Sequence, residues 1–196
     1  FVNGGDNDTI KNIENIVGTQ NNDTITLSTA VNIIKGEAGN DTFIQTSTGV
    51  LGDDIDGGIG SDTIDYSALQ NGITLTLNTS NYATVSSTSA NHIIKNIENV
   101  IGTNLDDIIN GDSLDNSLIG GAGDDTIDGG SGDDTIDGGT GNDTLKGGLG
   151  DDFLDGGVDK DTLTYAGLNS DLIINLEAGI ATGEGTDTIR DIVNVT

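Results

Sequence analysis

The sequence contains no cysteine, proline, methionine or tryptophan, and aromatic residues make up only 3% of it. The absence of cysteine excludes disulfide bonds, thiolate metal sites and cysteine catalysis. The single histidine cannot supply a nitrogen-rich metal cluster. Apolar runs are far shorter than the ~18 residues that cross a bilayer, so we expect no transmembrane segment.

Positive charge is also scarce, because 6 basic residues face 33 acidic ones and the formal net charge is −27. Such an acidic surface repels nucleic acid and anionic membranes and attracts cations. With 33% hydrophobic residues and 31 glycines, the composition is close to that of a disordered chain. Folding therefore needs an external factor that offsets both the chain entropy and the charge repulsion.

What the sequence does contain is a nine-residue repeat. Residues 120–164 read GGAGDDTID, GGSGDDTID, GGTGNDTLK, GGLGDDFLD and GGVDKDTLT in succession. Looser copies occupy 102–119, and the same frame recurs at 18–44 and, after a three-residue insertion, at 48–65. A degenerate copy opens the chain at 3–11. Such a fixed period predicts a stacked repeat architecture.

Two positions of the nonapeptide are nearly constant. The eighth is apolar in every copy, and the sixth is aspartate except at Asn32 and Asn116. The alternation in Thr126-Ile127-Asp128 is typical of a very short strand with one inward side chain, whereas GGxGxD is typical of a turn. Two nonapeptides then make one coil, and coils stacked about 4.8 Å apart give two parallel sheets around a thin aliphatic core. We therefore predict an all-β fold, a parallel β-roll or β-solenoid, with interspersed short strand or hairpin caps.

Stacking brings carboxylates together. We expect Asp125 to approach Asp143 on one edge of the roll and Asp134 to approach Asp152 on the other. Carboxylates at this spacing repel unless a cation lies between them. Calcium takes six to eight oxygen ligands at flexible angles, whereas magnesium needs a stricter octahedron and zinc prefers nitrogen or sulfur. The pattern thus predicts several calcium ions.

The repeats GGAGDDTID, GGSGDDTID and GGTGNDTLK resemble the GGxGxDxUx nonapeptide of the RTX (repeats-in-toxin, hemolysin-type calcium-binding) family. The resemblance implies a right-handed parallel β-roll that is loaded with calcium, with ligands from the sixth-position side chain and from neighbouring backbone carbonyls. It implies that the metal-binding aspartates are Asp23, Asp41, Asp53, Asp62, Asp107, Asp125, Asp134, Asp143, Asp152 and Asp161. It implies that the metal-binding glycines are Gly121, Gly123, Gly130, Gly132, Gly139, Gly141, Gly148 and Gly150. Pairing the turns suggests about five to eight calcium ions.

A longer period surrounds the nonapeptides. The segment IDYSALQNGITLTLN at 64–78 is similar to LTYAGLNSDLIINLE at 163–177, and IIKNIENVIGT at 93–103 is similar to TIKNIENIVGT at 9–19. We predict these segments to be strands that cap each roll. The predicted divisions are the end of a preceding module (1–17), a first roll block (18–65), a strand and cap segment (66–101), a second roll block (102–164) and a second strand and cap segment (165–196).

Three classes of function fit these features, and catalysis is not among them, because the carboxylates are committed as ligands. The first is a calcium-dependent structural segment of a secreted bacterial cell-surface protein, such as an adhesin, surface-layer or filament subunit, that folds outside the cell. The alternative is the calcium-folding secretion module of an enzyme or toxin, for which the family resemblance implies type I export. A module that binds sugars is the third. Besides calcium, the expected partners are further copies of the chain, joined end to end or in a lattice, or a cell-surface glycan or protein. His92 is expected in a surface loop.

Overall fold

The chain folds almost entirely into short strands. The computed structural model describes residues 13, 15–27, 30–46, 52–78, 83–86, 91–167 and 169–196. The degenerate repeat predicted at 3–11 and most of segment 1–17 lie outside these residues.

The described residues form 21 strands and no helix, so the all-β class is confirmed. This part of the chain accordingly contains no helix that could cross a membrane. In chain order the strands are β1 (Asn15–Val17), β2 (Thr24–Thr26), β3 (Ile33–Ala38), β4 (Thr42–Ile44), β5 (Asp54–Ile59), β6 (Thr63–Asp65), β7 (Thr74–Thr76), β8 (Ala83–Ser86), β9 (Asn91–Lys95), β10 (Asn99–Ile101), β11 (Ile108–Asn110), β12 (Ser117–Ala122), β13 (Thr126–Ser131), β14 (Thr135–Thr140), β15 (Thr144–Leu149), β16 (Phe153–Val158), β17 (Thr162–Leu163), β18 (Ile173–Asn175), β19 (Ile180–Thr182), β20 (Thr186–Arg190) and β21 (Asn194–Val195).

The strands make two sheets. Sheet A has 11 strands in the order β1-β3-β5-β9-β8-β7-β11-β13-β15-β17-β21, and sheet B has 10 in the order β18-β19-β20-β16-β14-β12-β10-β6-β4-β2. Consecutive nonapeptide strands alternate between the sheets, and each pairs in parallel with the strand two repeats later. In β12 and β14, for example, Leu118 lies opposite Ile136. One coil therefore contains two nonapeptides, which confirms the predicted parallel β-solenoid.

A single column of aliphatic side chains from each sheet fills the space between the sheets. Residues at the seventh and ninth positions face outward while the eighth faces inward, because side chains alternate along a strand. The buried eighth-position residues are Ile34, Phe43, Ile55, Ile64, Ile109, Leu118, Ile127, Ile136, Leu145, Leu154 and Leu163. Each such burial contributes about 1.5–3 kcal/mol, but one residue per strand leaves the core thin.

Strands in the regular repeats are longer than the predicted three residues. Strand β13 extends over six residues and includes Gly129 and Gly130, which begin the next nonapeptide. The ladder continues there, with Gly130 opposite Gly148. The positive φ of Gly130, 100°, and the lack of a side chain let these glycines lie directly against the neighbouring coil. The turn itself is therefore shorter than the GGxGxD pattern indicates.

The segment predicted as a cap at 66–101 is part of both sheets. Strand β9 pairs in parallel with β5, an antiparallel meander leads through β8 to β7, and β7 pairs in parallel with β11. In sheet B, β10 pairs directly with β6 and β12. The two roll blocks are therefore joined into one stack.

The C-terminal segment at 165–196 repeats this arrangement on the other sheet. Strands β18, β19 and β20 form an antiparallel meander in sheet B, and β20 pairs in parallel with β16. Strand β21 pairs in parallel with β17 in sheet A. The similar sequences of the two segments thus adopt the same strand order.

A pair of isoleucine substitutions tests the core. Ile64 is 0% exposed and Ile59, in the same repeat, is 78% exposed. Replacing Ile64 with alanine removes packed core atoms and should cost about 2–5 kcal/mol of unfolding free energy in calcium-containing buffer. The Ile59→Ala control should change it by at most about 0.5 kcal/mol. Guanidinium denaturation measures both, and equal losses would contradict this core assignment.

Candidate metal-binding turns

The sixth-position residues lie in two rows, one on each edge of the roll. On the first edge the turns lead into sheet A, and on the second edge they lead into sheet B. These two edges carry all ten predicted aspartates. On the first edge the row is Asn32, Asp53, Asp107, Asp125, Asp143 and Asp161. On the second edge the row is Asp23, Asp41, Asp62, Asn116, Asp134 and Asp152. Of the predicted aspartates only Asp23 is not buried.

In every predicted ligand aspartate except Asp23, Oδ1 accepts a backbone N–H of the neighbouring coil. On the first edge the backbone N–H of Asp107 donates to Oδ1 of Asp125 at 2.7 Å, and the N–H of Asp125 donates to Oδ1 of Asp143 at 2.8 Å. On the second edge the N–H of Asp134 donates to Oδ1 of Asp152 at 2.9 Å. The predicted approach of Asp125 to Asp143 and of Asp134 to Asp152 is confirmed. At each of these turns a carboxylate oxygen, and not a backbone carbonyl, accepts the N–H of the neighbouring coil.

The other oxygen, Oδ2, has no hydrogen-bond partner in most of these residues. It is buried and unpartnered in Asp41, Asp53, Asp62, Asp125, Asp134, Asp143, Asp152 and Asp161. An unpaired polar atom of this kind costs about 1–3 kcal/mol when neutral and more when charged. Eight such atoms in equivalent positions require a common partner that carries positive charge.

Except in Asp53, each unpartnered oxygen lies beside the first glycine of its repeat, in the space that a side chain there would fill. A Cβ atom on Gly120 would meet Oδ2 of Asp125 and the carbonyl oxygen of Gly138. Gly129 has the same relation to Asp134 and Gly147. A carboxylate oxygen and a carbonyl oxygen of the next coil therefore converge beside the first glycine of the repeat. Sequence reasoning did not select these first glycines, although their constancy in the repeat was a usable signal.

The predicted glycine ligands occupy the second and fourth positions. All eight of them, from Gly121 to Gly150, have positive φ between 100° and 127°. At the fourth position of one turn Asp159 replaces glycine and has φ of 91°. This left-handed backbone orients the carbonyls of the turn, and their role as ligands stays a prediction.

The donor set fits calcium. It consists of carboxylate and carbonyl oxygens, and the described residues contain no group of three or more His, Cys, Asp and Glu side chains. Calcium accepts carbonyl oxygens in place of side chains and tolerates irregular angles. Zinc, which favours compact nitrogen and sulfur clusters, has no matching site in this part of the chain.

Burial opposes ionisation of the turn carboxylates. It raises the pKa of Asp125 and Asp134 to about 7, and the amide hydrogen bond to each carboxylate reverses only part of the increase. It also raises the pKa of Asp62, Asp143 and Asp152 to about 6. Neighbouring carboxylates add to all five shifts, so a cation in these turns would relieve both desolvation and repulsion.

Two of the predicted ligand aspartates have a different environment. Oδ2 of Asp23 accepts the backbone N–H of Thr19 at 2.6 Å, and Oδ2 of Asp107 accepts that of Thr103 at 2.6 Å. The asparagine at the sixth position of another turn, Asn116, accepts the N–H of Asp112 at 2.9 Å and donates to the carbonyl of Glu98 at 3.1 Å. In these three turns both polar atoms of the sixth-position side chain have hydrogen-bond partners.

His92 is buried, so its prediction as a surface-loop residue is wrong. The register of β5 and β9 places it opposite Asp53, where the next coil would carry a sixth-position residue. Its Nε2 lies 3.8 Å from Oδ2 of Asp53, and both side chains are 0% exposed. Burial lowers the pKa of His92 to about 4 and raises that of Asp53 to about 6, so the neutral imidazole supplies no charge. Pairing with strands distant in sequence encloses His92, which local sequence cannot indicate.

The nonapeptide repeats match a known protein family. A family model described as the RTX calcium-binding nonapeptide repeat (4 copies) matches residues 13–44, 101–136 and 128–163. These ranges contain every predicted ligand aspartate except Asp53 and Asp62. No curated protein matches the sequence.

Among solved structures, the chain is similar to the crystal structure of the extracellular lipase LipA from Serratia marcescens. The sequence identity is 19% and the TM-score is 0.39. The match covers 95% of this chain and 39% of the lipase chain, so this chain spans about two fifths of the length of that protein.

The raised pKa values predict a pH dependence of the calcium-free chain. In the unfolded chain these carboxyl groups titrate near 3.8, whereas in the fold Asp125 and Asp134 titrate at about 7. Protonation therefore stabilises the fold fully below pH 3.8, and this stabilisation is lost as the pH rises through about 7. In calcium-depleted buffer, far-UV circular dichroism should show more β structure at pH 4.5 than at pH 8.

Matched variants separate this effect from total charge. Replacing Asp125 and Asp134 with asparagine should reduce the pH dependence. Replacing the exposed neighbours Asp124 and Asp133 with asparagine removes the same charge and should leave the dependence in place. The interpretation would be wrong if both double variants responded to pH alike.

Proposed function

This chain is a member of the RTX calcium-binding nonapeptide repeat family, and we propose that it is a calcium-dependent structural segment of a secreted bacterial cell-surface protein. The proposal rests on one observation above others. Eight buried Oδ2 atoms at equivalent positions have no partner among the described residues. We propose that calcium is that partner and that the chain becomes rigid when the ion binds.

We propose that the eight aspartates with an unpartnered Oδ2 are the side-chain ligands. Carbonyl oxygens from the glycine turns complete each shell, among them the predicted Gly121, Gly130 and Gly139. One ion for each unpartnered oxygen gives about eight ions, the upper end of the number suggested by the sequence. They would supply about 16 positive charges against the formal net charge of −27. Calcium in these turns supplies charge and holds adjacent coils together.

The same electrostatics support folding outside the cell. RTX repeats occur in secreted bacterial proteins exported by the type I route. Extracellular calcium sites bind at about 10⁻⁴–10⁻³ M, so ions at cytosolic concentration leave such turns empty. Binding to the folded chain alone then adds stability only after export. An unfolded acidic chain inside the cell and a rigid roll outside it follow from a single calcium gradient.

The shape supports a structural role. Eleven stacked strands at a spacing of about 4.8 Å make sheet A about 50 Å long. Both sheets continue through the segment at 66–101, so the roll is extended by adding coils. Length that grows linearly with the number of repeats suits a stalk, lattice or filament.

The edge of sheet B at β18 supports extension by further modules. Strand β7 pairs with β8 on one side and with the nonapeptide strand β11 on the other. Its counterpart β18 pairs with β19, and within the described part of the chain its outer edge has no strand. We propose that a nonapeptide strand of a further module pairs with β18 as β11 pairs with β7. The predicted divisions into roll blocks and strand segments are proposed as the units of that array.

A calcium titration tests the proposal. In chelator at pH 7.5 the chain should give the far-UV circular dichroism of a coil and a large hydrodynamic radius. Calcium should produce a cooperative change to β structure with a midpoint of about 10⁻⁴–10⁻³ M, and magnesium at the same concentration should not. A midpoint below about 10⁻⁶ M would contradict folding outside the cell, and a β spectrum unchanged by chelator would contradict calcium dependence itself.

A further inference from the structure

We infer that the second residue of the nonapeptide decides whether a turn binds calcium, and that threonine at this position closes the turn without the ion. The turns concerned are 18–23 and 102–107, in which Thr19 and Thr103 follow the first glycine. This inference rests on the proposed function and specifies it. Asp23 and Asp107, which the repeat pattern predicted as ligands, are then structural residues of turns that bind no calcium.

The Asp107 carboxylate accepts three hydrogen bonds. Its Oδ1 accepts the N–H of Ile73 at 2.7 Å and the hydroxyl of Thr103 at 3.1 Å, while its Oδ2 accepts the N–H of Thr103 at 2.6 Å. The Thr103 hydroxyl also accepts the N–H of Leu105 at 3.0 Å. Both carboxylate oxygens therefore have backbone donors, one from Ile73 of the neighbouring coil and one from Thr103 of the turn itself.

The second threonine turn is built in the same way. The N–H of Thr19 donates to Oδ2 of Asp23 at 2.6 Å, and its hydroxyl donates to Oδ1 at 3.3 Å. The N–H of Asn21 donates to the Thr19 hydroxyl at 3.1 Å. Two turns 84 residues apart in sequence thus share one hydrogen-bond pattern.

The backbone at the second position separates the two kinds of turn. Neither threonine is among the residues with positive φ. In every described turn whose second residue has positive φ, Oδ2 of the sixth-position aspartate is unpartnered. These second residues are Glu37, Gly58, Gly121, Gly130, Gly139, Gly148 and Gly157.

Glu37 shows that the conformation matters as well as the residue type. It is not glycine, yet its φ is 80° and Oδ2 of Asp41 in the same turn is unpartnered. A β-branched threonine strongly disfavours positive φ. With negative φ, Thr103 directs its N–H to Asp107 and occupies the position that a cation would take.

The location of the threonine turns gives them a role in the stack. Each begins at the final Gly-Thr of one of the similar segments IENIVGT (13–19) and IENVIGT (97–103), and each precedes turns with unpartnered oxygens on the same edge. A turn that is complete without calcium provides a preformed coil on which the next coil can stack. The recurring GT at the end of these segments thus marks where a calcium-dependent block begins.

Calcium stoichiometry of isosteric variants tests this inference. Equilibrium dialysis should give the same number of bound ions for the Asp107→Asn variant as for the parent chain. Asp143→Asn, on the same edge, should lose at least about one ion per chain. Asparagine at 107 keeps one acceptor for the N–H of Thr103, as Asn116 does for that of Asp112, and loses the hydrogen bond from the N–H of Ile73. Circular dichroism at saturating calcium checks that both variants are folded.

A second pair of variants provides an independent test in case a variant of the first pair does not fold. Asp23→Asn should retain every ion, whereas Asp41→Asn on the next coil of the second edge should lose at least about one. Equal losses within either folded pair would overturn the inference while leaving calcium binding established. A parent chain that binds no calcium would instead contradict the proposed function.

Discussion

Each regular turn of this roll buries a carboxylate group whose two oxygens have different surroundings. Oδ1 accepts an amide N–H from the neighbouring coil and so holds the stack in register. Oδ2 is buried without a partner in eight turns. The aliphatic column between the sheets is one residue deep and cannot compensate for eight uncompensated charges. We therefore propose that the fold depends on a cation at the turns.

Repetition explains why much of this could be predicted from the sequence. The apolar eighth position and the aspartate at the sixth recur in phase, and the observed burial of Ile127 and Ile136 and the contact of Asp125 with Asp143 follow from that period. The parallel sheets follow as well, because identical repeats can stack identically. Periodic local patterns are thus sufficient where every coil has the same neighbours.

The remaining features depend on contacts between residues that are distant in sequence. The meander β7–β8–β9 enters sheet A because β9 returns to β5 and β7 meets β11, which no local pattern specifies. The same pairing buries His92. Oδ2 of Asp107 has a partner because the backbone N–H of Thr103 points to it. The repeat pattern treats threonine and glycine at this second position as variants of one motif. The sixth-position column therefore identified the row of carboxylates but not which of them need an ion.

The most direct test of the cation requirement is whether the same substitutions have opposite effects on folding with and without calcium. Replacing Asp125, Asp134, Asp143 and Asp152 with asparagine should lower stability in saturating calcium but increase β structure in chelator at pH 7, because the burial of charge is removed. A control variant with asparagine at the exposed residues Asp106, Asp124, Asp133 and Asp151 removes the same charge from outside the core. Far-UV circular dichroism with guanidinium denaturation should show the reversal for the buried set alone. A buried-set variant that is less folded than the parent chain both with and without calcium would contradict the account.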